Sequence, residues 1–298
     1  MLRASQVFVA LLFNLAPSGV LFADAGDAFR SKVPPGTIEL DLLKMLNIST
    51  LHKGVGRTTG PISSLPAWKL FSGLNAVQIP LEPESSFQHQ LASSGALSAI
   101  FVTRPNRHSV ATLFSIHLPG KMSPLVRVAV NFRTRRFVLS YTVPDSIAMP
   151  LSVEDEGAGK ASRRDLDIAD DISEADGTEQ GADDADEAFH LNSADVRHVK
   201  FMLASAKALK KSHGWTWIGV TLTREKVTLY ENCEKPVEME LVHSPLLRFP
   251  SDALVYFRQE PGLKRKFVGS VQVARLYSNR ITSRPWKCSS TGTASLEE

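Results

Sequence analysis

The chain has 298 residues, of which 43% are hydrophobic, and a formal net charge of +3 at pH 7. That hydrophobic content suffices for one large core or two small ones. After the first 25 residues no stretch approaches the run of about 18 apolar residues that spans a bilayer, so we expect no membrane span.

The N-terminal segment has the pattern of a secretory signal. Arg3 provides a positive start, and the apolar run "VFVALLFNLAPSGVLF" is followed by the small residues "ADA". We predict a signal peptide over residues 1–25, cleaved after Ala25, and a secreted mature chain. A membrane anchor is the alternative, but Asn14, Pro17 and Gly19 interrupt the run and leave it too short to span comfortably.

Two features open the mature chain. The stretch "ELDLLKML", Glu39 to Leu46, could form a helix of two turns near the mature N-terminus. It is followed by Asn47-Ile48-Ser49, a sequon for N-linked glycosylation in a secreted protein.

Alternation of apolar and polar residues then dominates the sequence. In "PLVRVAVNF", Val126, Val128 and Val130 share one face, which places Arg127 on the other, and the basic turn "RTRR" connects this strand to "FVLSYTV". Further strands are predicted for "AWKLF", "AVQIPL", "LSAIFVT", "VATLFSI", "WTWIGVTLT", "KVTLYENC", "ALVYF" and "FVGSVQVARLY". Short alternating strands separated by Pro, Gly and Asn indicate an all-β protein, an antiparallel β-sandwich.

An acidic segment interrupts this pattern from Ser152 to Phe189. It holds 14 acidic and 3 basic residues, a charge of −11, and leaves the rest of the chain, with 31 basic and 17 acidic residues, at +14. Low hydrophobicity with high net charge predicts a disordered insert. Calcium binding is the alternative, but the carboxylates lack the spacing of an EF-hand loop. The following stretch, "VRHVKFMLASAKALKKSH", fits either an amphipathic helix or a strand with a basic loop.

The chain has two cysteines, Cys233 and Cys288. In an oxidising compartment two cysteines most simply form one disulfide, and neither has an adjacent His or a paired Cys that would indicate a reactive or metal-bound thiol. We therefore predict a Cys233–Cys288 bond. The remaining ten residues, 289–298, form a polar tail that we expect to be frayed.

Several of these stretches together resemble a known module. The pieces are Arg104-Pro105 at a strand end, Gly214-Trp215 before a strand, "LYENCE" from Leu229 to Glu234, and "FVGSV" from Phe267 to Val271. Their order is similar to the thrombospondin N-terminal-like domain, which is laminin-G-like, and most similar to that of the type XV/XVIII (multiplexin) collagens. The resemblance implies a laminin-G-like jelly roll over residues 26–288, one domain interrupted by the insert, with the two cysteines paired. The chain holds no Gly-X-Y triplets and has Asn232 where the family commonly has Asp.

Enzyme signatures are missing from the sequence. It contains no G-x-S-x-G elbow, H-E-x-x-H pair, P-loop or G-x-G-x-x-G motif, and its eight His are scattered, so we expect no catalysis, metal site or cofactor. A glycosidase on a similar sandwich would need two nearby carboxylates. "ELDLLK" offers Glu39 and Asp41, but Lys44 stands where a further Glu would be wanted.

Clusters of basic residues remain as the candidate site. Arg and Lys bind sulfate groups through charge-assisted hydrogen bonds, and a domain of charge +14 attracts polyanions. The predicted contacts for sulfated glycosaminoglycans such as heparan sulfate are Arg127, Arg133, Arg135, Arg136, Lys207, Lys210, Lys211, Lys264, Arg265 and Lys266. Ordinary solvated turns are the alternative for each cluster. Nucleic acid would suit the same charge but not a secreted protein.

The sequence therefore predicts a secreted extracellular-matrix interaction module, the N-terminal non-collagenous domain of a collagen-like protein. Its expected partners are sulfated glycosaminoglycans and other matrix or cell-surface proteins. The alternative is a purely structural or protein-docking module without polyanion binding. A small apolar ligand between the sheets is a third possibility, since some laminin-G-like modules hold one.

Overall fold

The computed structural model describes residues 29, 33–74, 77–81, 86–106, 110–144, 196–203, 214–290 and 292–296. The predicted signal peptide, the acidic segment and the Lys207–Lys211 cluster lie outside these residues. The elements are β1 Glu39–Asp41, α1 Leu42–Met45, β2 Val55–Thr58, β3 Ala67–Leu70, β4 Val77–Pro80, α2 Ser86–Ser94, β5 Ala96–Pro105, β6 Val110–His117, β7 Pro124–Asn131, β8 Arg136–Thr142, β9 Val196–Met202, β10 Thr216–Thr223, β11 Lys226–Glu231, β12 Val237–Glu240, β13 Leu254–Phe257, a 3₁₀ turn Pro261–Leu263, β14 Gly269–Tyr277, β15 Lys287–Cys288 and β16 Ala294–Ser295.

Two antiparallel sheets pack face to face and confirm the predicted sandwich. The first sheet has the order β12-β11-β10-β5-β14-β3-β2, with β1 also paired to β14. The second has the order β4-β13-β6-β7-β8-β9, and β15 pairs with β16 in a small separate ladder. Every strand predicted from alternation is present. No helix among the described residues is long and apolar enough to cross a membrane.

The interior forms where the alternating apolar faces of the two sheets meet. Val126, Val128 and Val130 of β7 lie in this core with Ile218 and Val220 of β10, as their spacing predicts. Burial of such side chains is the main source of stability, at about 1.5–3 kcal/mol each. This core occupies the space between the sheets, which is where a small apolar ligand would have to bind.

The helix predicted over Glu39–Leu46 is wrong in its first three residues. Glu39–Asp41 instead form strand β1, whose residues pair with Arg275–Tyr277 of β14. Asp41 then ends the strand and caps the helix, because its Oδ1 accepts hydrogen bonds from the amides of Leu43 and Lys44, each at 3.1 Å. Within the predicted stretch Glu39–Leu46, only Leu42–Met45 are helical, and Leu46 is the C-cap.

Residues from both sides of the acidic segment build each sheet. Val196–Met202 form a strand, which settles the ambiguity between helix and strand, and this strand pairs along β8 from Thr142↔Val196 to Arg136↔Met202. The segment therefore connects two neighbouring strands of the second sheet. In the first sheet, β5 lies between β10 and β14. Strands from the two parts of the chain thus pair with one another in both sheets.

The C-terminal segment covers the outer face of the first sheet. Cys233 and Cys288 form the predicted disulfide. Trp286 packs against Trp217 at a ring-centroid distance of 5.6 Å, and its Nε1 donates a hydrogen bond to the carbonyl oxygen of Asn232. The tail is partly ordered rather than frayed, because β16 pairs with β15 and Ala294 is buried in the same cluster as the tryptophans.

Candidate functional site

A row of polar side chains crosses five strands on the outer face of the second sheet. Strand register places Tyr256 beside Ser115, Ser115 beside Arg127, Arg127 beside Ser140, and Ser140 beside His198. Because side chains alternate between the two faces of a strand, all five lie opposite the core. The alternation predicted for β7 is therefore confirmed, with Arg127 pointing away from the interior.

The prediction that Arg127 contacts a polyanion is nevertheless wrong, since Arg127 is fully buried. Its Nη1 lies 3.3 Å from Oε1 of Glu260, and its Nη2 donates a hydrogen bond to Oγ of Ser140 at 2.9 Å. Glu260 belongs to residues 258–267, which we call the covering loop because they lie across β6 and β7. A second ion pair lies within this loop and constrains its shape, since Nη1 of Arg265 is 2.8 Å from Oε2 of Glu260.

The charges under the covering loop compensate one another. Burial by itself opposes ionisation of Glu260, but Arg127 and Arg265 outweigh it and lower the pKa of that carboxyl. Burial also lowers the pKa of Arg127, and the proximity of Glu260 offsets part of that effect. Oγ1 of Thr112 donates a further hydrogen bond to Glu260 at 2.8 Å. This cluster fixes the covering loop to the sheet.

His117 lies fully buried on the same face, and this burial predicts that stability depends on pH. Burial lowers its pKa to about 4, with Glu260 opposing and Arg127 adding to the shift. Because the unfolded-state pKa is about 6.5, the unfolded chain binds the proton first as the pH falls. The folded state should therefore lose about 2–3 kcal/mol through this group between pH 6.5 and pH 4.5.

Urea unfolding of the wild type and of His117→Gln at about pH 7 and pH 4.5 checks this expectation. The loss of stability between the two pH values should be smaller in the variant by about 2–3 kcal/mol. His243→Gln, at an exposed position, is the matched control and should keep the wild-type loss. An equal loss in all three proteins would contradict the assignment to His117.

The "RTRR" stretch forms the hairpin turn between β7 and β8, as predicted. Oδ1 of Asn131 accepts hydrogen bonds from the amides of Arg133 and Thr134, each at 3.0 Å, which fixes the turn. Arg133 is exposed and Arg136 is half-buried. Arg135 is half-buried, and its Nη2 lies 2.9 Å from Oε1 of Glu231 in the first sheet, so it helps to join the sheets.

The "LKRK" cluster belongs to the covering loop. Lys264 is exposed, whereas Arg265 pairs with Glu260. Nζ of Lys266 donates a hydrogen bond to the carbonyl oxygen of Ser72 at 2.9 Å. Burial lowers the pKa of Lys266, and Arg258 nearby adds to that effect. Of this cluster, Lys264 is therefore the side chain most available to a ligand.

The fold brings the turn and the covering loop to the same end of the second sheet. Lys266 forms an isolated backbone β-bridge with Thr112, near the start of β6. From Thr112 the strand register leads across the sheet to Ala129 of β7, Val138 of β8 and Lys200 of β9. At the usual strand spacing, Lys200 lies about 14 Å from Thr112. Lys200 is exposed. We call Arg133, Arg136, Lys200 and Lys264 the basic end.

Lys200 was not among the predicted contacts, because its segment could be assigned to either a helix or a strand. Its alternation with Val199 and Phe201, both in the core, is the signal that could have found it. Lys207, Lys210 and Lys211 lie outside the described residues. The chain leaves β9 toward them beside the turn, where the amide of Leu203 donates a hydrogen bond to the carbonyl oxygen of Arg135 at 2.7 Å.

The two carboxylates considered for glycoside hydrolysis are engaged in ion pairs. Nη1 of the buried Arg275 lies 3.1 Å from Oε1 of Glu39, and its Nε lies 3.4 Å from Oδ2 of Asp41. The guanidinium also lies over the ring of Phe29, 5.5 Å from its centroid. This arrangement joins β1 to β14.

Three of the pieces that carry the family resemblance meet in space. Gly269 pairs with Pro105 in the neighbouring strand. A Cβ on Gly269 would lie 2.4 Å from the carbonyl oxygen of Arg104, so the close approach of these two backbones requires glycine at this position. The guanidinium of Arg104 lies 5.2 Å from the ring centroid of Trp215. These residues are distant in the sequence.

No protein-family model matches the chain. The fold is similar to the binding domain of botulinum neurotoxin DC, solved in complex with rat synaptotagmin II, with a TM-score of 0.44 and 10% identity over 77% of this chain and 43% of that one. It is also similar to the CBM40 domain of the Ruminococcus gnavus IT-sialidase, with a TM-score of 0.41 and 8% identity over 71% of this chain and 93% of that one. A leech intramolecular trans-sialidase matches with a TM-score of 0.40 and 12% identity over 69% of this chain and 25% of that one. The chain thus spans less than half the length of the neurotoxin domain, and similarity at this level carries no information about function.

Proposed function

We propose that the chain is a secreted, non-catalytic interaction module of the extracellular matrix that binds sulfated glycosaminoglycans through the basic end. The observation that carries this proposal is the convergence of the β7–β8 turn, β9 and the covering loop, which place Arg133, Lys200 and Lys264 at one end of one sheet. Lys207, Lys210 and Lys211 follow β9 and remain part of the proposal.

The spread of these residues favours an extended polyanion over a single small anion. Three strand spacings, about 14 Å, separate Thr112 beside the covering loop from Lys200. The covering loop also holds three non-glycine residues at positive φ, Arg258 at 60°, Leu263 at 62° and Arg265 at 46°. Non-glycine residues keep a positive φ only where surrounding contacts hold the backbone in that conformation, and they are often found at binding sites. Two such contacts are present here, since Arg265 pairs with Glu260 and the guanidinium of Arg258 donates hydrogen bonds to the carbonyl oxygen of Phe71.

We also propose that the domain is thrombospondin N-terminal-like and belongs to a collagen-like protein. The meeting of Arg104, Trp215 and Gly269 supports this, because residues far apart in the sequence and shared with the family pattern lie together in the fold. A disulfide between Cys233 and Cys288 agrees with the family's paired cysteines.

Heparin-affinity chromatography over a salt gradient tests the polyanion proposal. The triple variant Arg133→Gln, Lys200→Gln, Lys264→Gln should elute at lower salt than the wild type and bind about tenfold more weakly, since exposed charge pairs contribute about 0.2–1 kcal/mol each. Binding should weaken as salt rises, because salt screens exposed charges.

The matched control is Lys121→Gln, Lys235→Gln, Arg280→Gln, which removes the same charge from exposed positions elsewhere. Equal elution of the two triple variants would contradict a site at the basic end. Unchanged elution of both would favour the protein-docking alternative. One surface suits that alternative, since the edge strand β12 exposes 46% of Val237 and 39% of Met239.

A further inference from the structure

A hollow of about 270 Å³ opens where α1 and β3 meet β14, away from the basic end. Its lining combines polar side chains with an apolar wall and consists of Asp41, Leu43, Lys44, Asn47, Ile48, Leu65, Pro66, Trp68, Gln272 and Arg275. Small-molecule sites share this combination of apolar walls and a few placed polar groups. The volume suits one ring rather than a drug-sized ligand.

Asn47, the asparagine of the sequon, stands on the rim of this hollow. It is exposed and adopts a φ of 47° in the turn that ends α1. The turn is fixed on both sides of the residue, because its amide donates to the carbonyl oxygen of Lys44 at 2.9 Å and the amide of Ile48 donates to that of Leu43 at 3.1 Å. The side-chain amide of Asn47 is therefore accessible and held next to the hollow.

The rest of the lining suits the two kinds of surface on a sugar ring. Trp68 and Leu65 are half-buried and Pro66 is exposed, so they offer an apolar wall to the C–H face of a ring. On the floor, Gln272 is engaged with the backbone of Ile62, and Arg275 with Asp41, which keeps these polar groups in place.

We propose that Asn47 carries an N-linked glycan whose first N-acetylglucosamine packs into this hollow against Trp68. This inference rests on the proposed extracellular function, since the transferase acts on chains that enter the secretory pathway. In the transfer, the Asn47 amide nitrogen bonds to the anomeric carbon of a lipid-diphosphate-linked oligosaccharide. The bond from that carbon to the diphosphate oxygen breaks, and the amide proton leaves to a base of the transferase.

The experiment uses the full chain secreted from eukaryotic cells, with intact mass and melting temperature as readouts. The wild type should carry a glycan mass that peptide N-glycosidase removes, and Ser49→Ala should lack it. Ser49→Thr preserves the sequon and should keep the glycan. We expect Ser49→Ala to lower Tm by about 2–4 °C, the shift that loss of one buried ring face would cause in a domain of this size.

A double-mutant cycle separates packing of the sugar from its mere presence. In a Trp68→Ala background, or in Trp68→Leu if the first variant folds poorly, Ser49→Ala should change Tm by less than about 1 °C. An equal drop in both backgrounds would overturn the packing.

Secreted wild type without a glycan at Asn47 would overturn the inference while leaving the extracellular proposal intact. Retention of the chain in the cytosol would contradict both. Heparin elution of Ser49→Ala should match that of the wild type, because Asn47 lies away from the basic end, so failure of polyanion binding is detected independently.

Discussion

Replacing Glu260 by glutamine should lower the free energy of unfolding by about 3–5 kcal/mol, the usual cost of removing one partner from a buried ion pair. The side chain of Arg127 is 0% exposed and that of Glu260 2% exposed, so Arg127 would keep its charge with no carboxylate beside it. The amide preserves the shape of Glu260 and removes only its charge. Urea unfolding at neutral pH measures the loss.

Glu240→Gln is the matched control, because Glu240 is exposed on β12 and should change stability little. Adding Arg127→Met to Glu260→Gln should recover part of the loss, since an apolar side chain of similar length removes the uncompensated charge. A Glu260→Gln protein as stable as the control would show that the buried pair does not hold the covering loop.

Removing the disulfide by Cys233→Ser and Cys288→Ser together should cost about 4 kcal/mol on the chain-entropy relation. The two residues are 55 positions apart, so the bond closes a long loop and strongly restricts the unfolded chain. Because Trp286 lies two residues before Cys288 and packs on Trp217, tryptophan fluorescence reports the same region while urea unfolding gives the stability.

Reductant provides the control for this variant. It should lower the urea midpoint of the wild type to that of the double variant and leave the variant itself unchanged. If the wild type kept its midpoint after reduction, with both thiols shown to be free, the bond would contribute nothing to stability. A change confined to fluorescence would mean that the disulfide only positions Trp286.

Much of the fold could be predicted from the alternation of apolar and polar residues along the strands. Each strand of the second sheet that buries one face, such as β7 with Val126 and Val128, can be found because its apolar residues alternate. The strands that were missed are short or polar. β2 has a single apolar residue, Val55, in its four residues. β12 alternates Val237 and Met239 with two glutamates, but it is only four residues long and exposed throughout. Helix α2 was missed because its nine residues are mostly polar.

The candidate site was harder to predict because its decisive contacts are distant in sequence. The alternation places Arg127 on the outer face correctly, but its exposure depends on Glu260, which follows Arg127 by 133 positions. Local patterns cannot show that a later loop returns over the same face. The β7–β8 turn is a local feature, and the exposure of Arg133 was therefore predictable.

The position of the acidic segment has a consequence for how the chain tolerates cutting. The segment follows β8, which ends at Thr142, and precedes β9, which begins at Val196. These two residues pair with each other on adjacent strands. A protease that cleaved the connection would yield two polypeptides. Neither could dissociate without breaking the hydrogen bonds of strands in both sheets. Cleavage within the acidic segment would therefore separate its two halves and leave a sandwich that is assembled from two polypeptides.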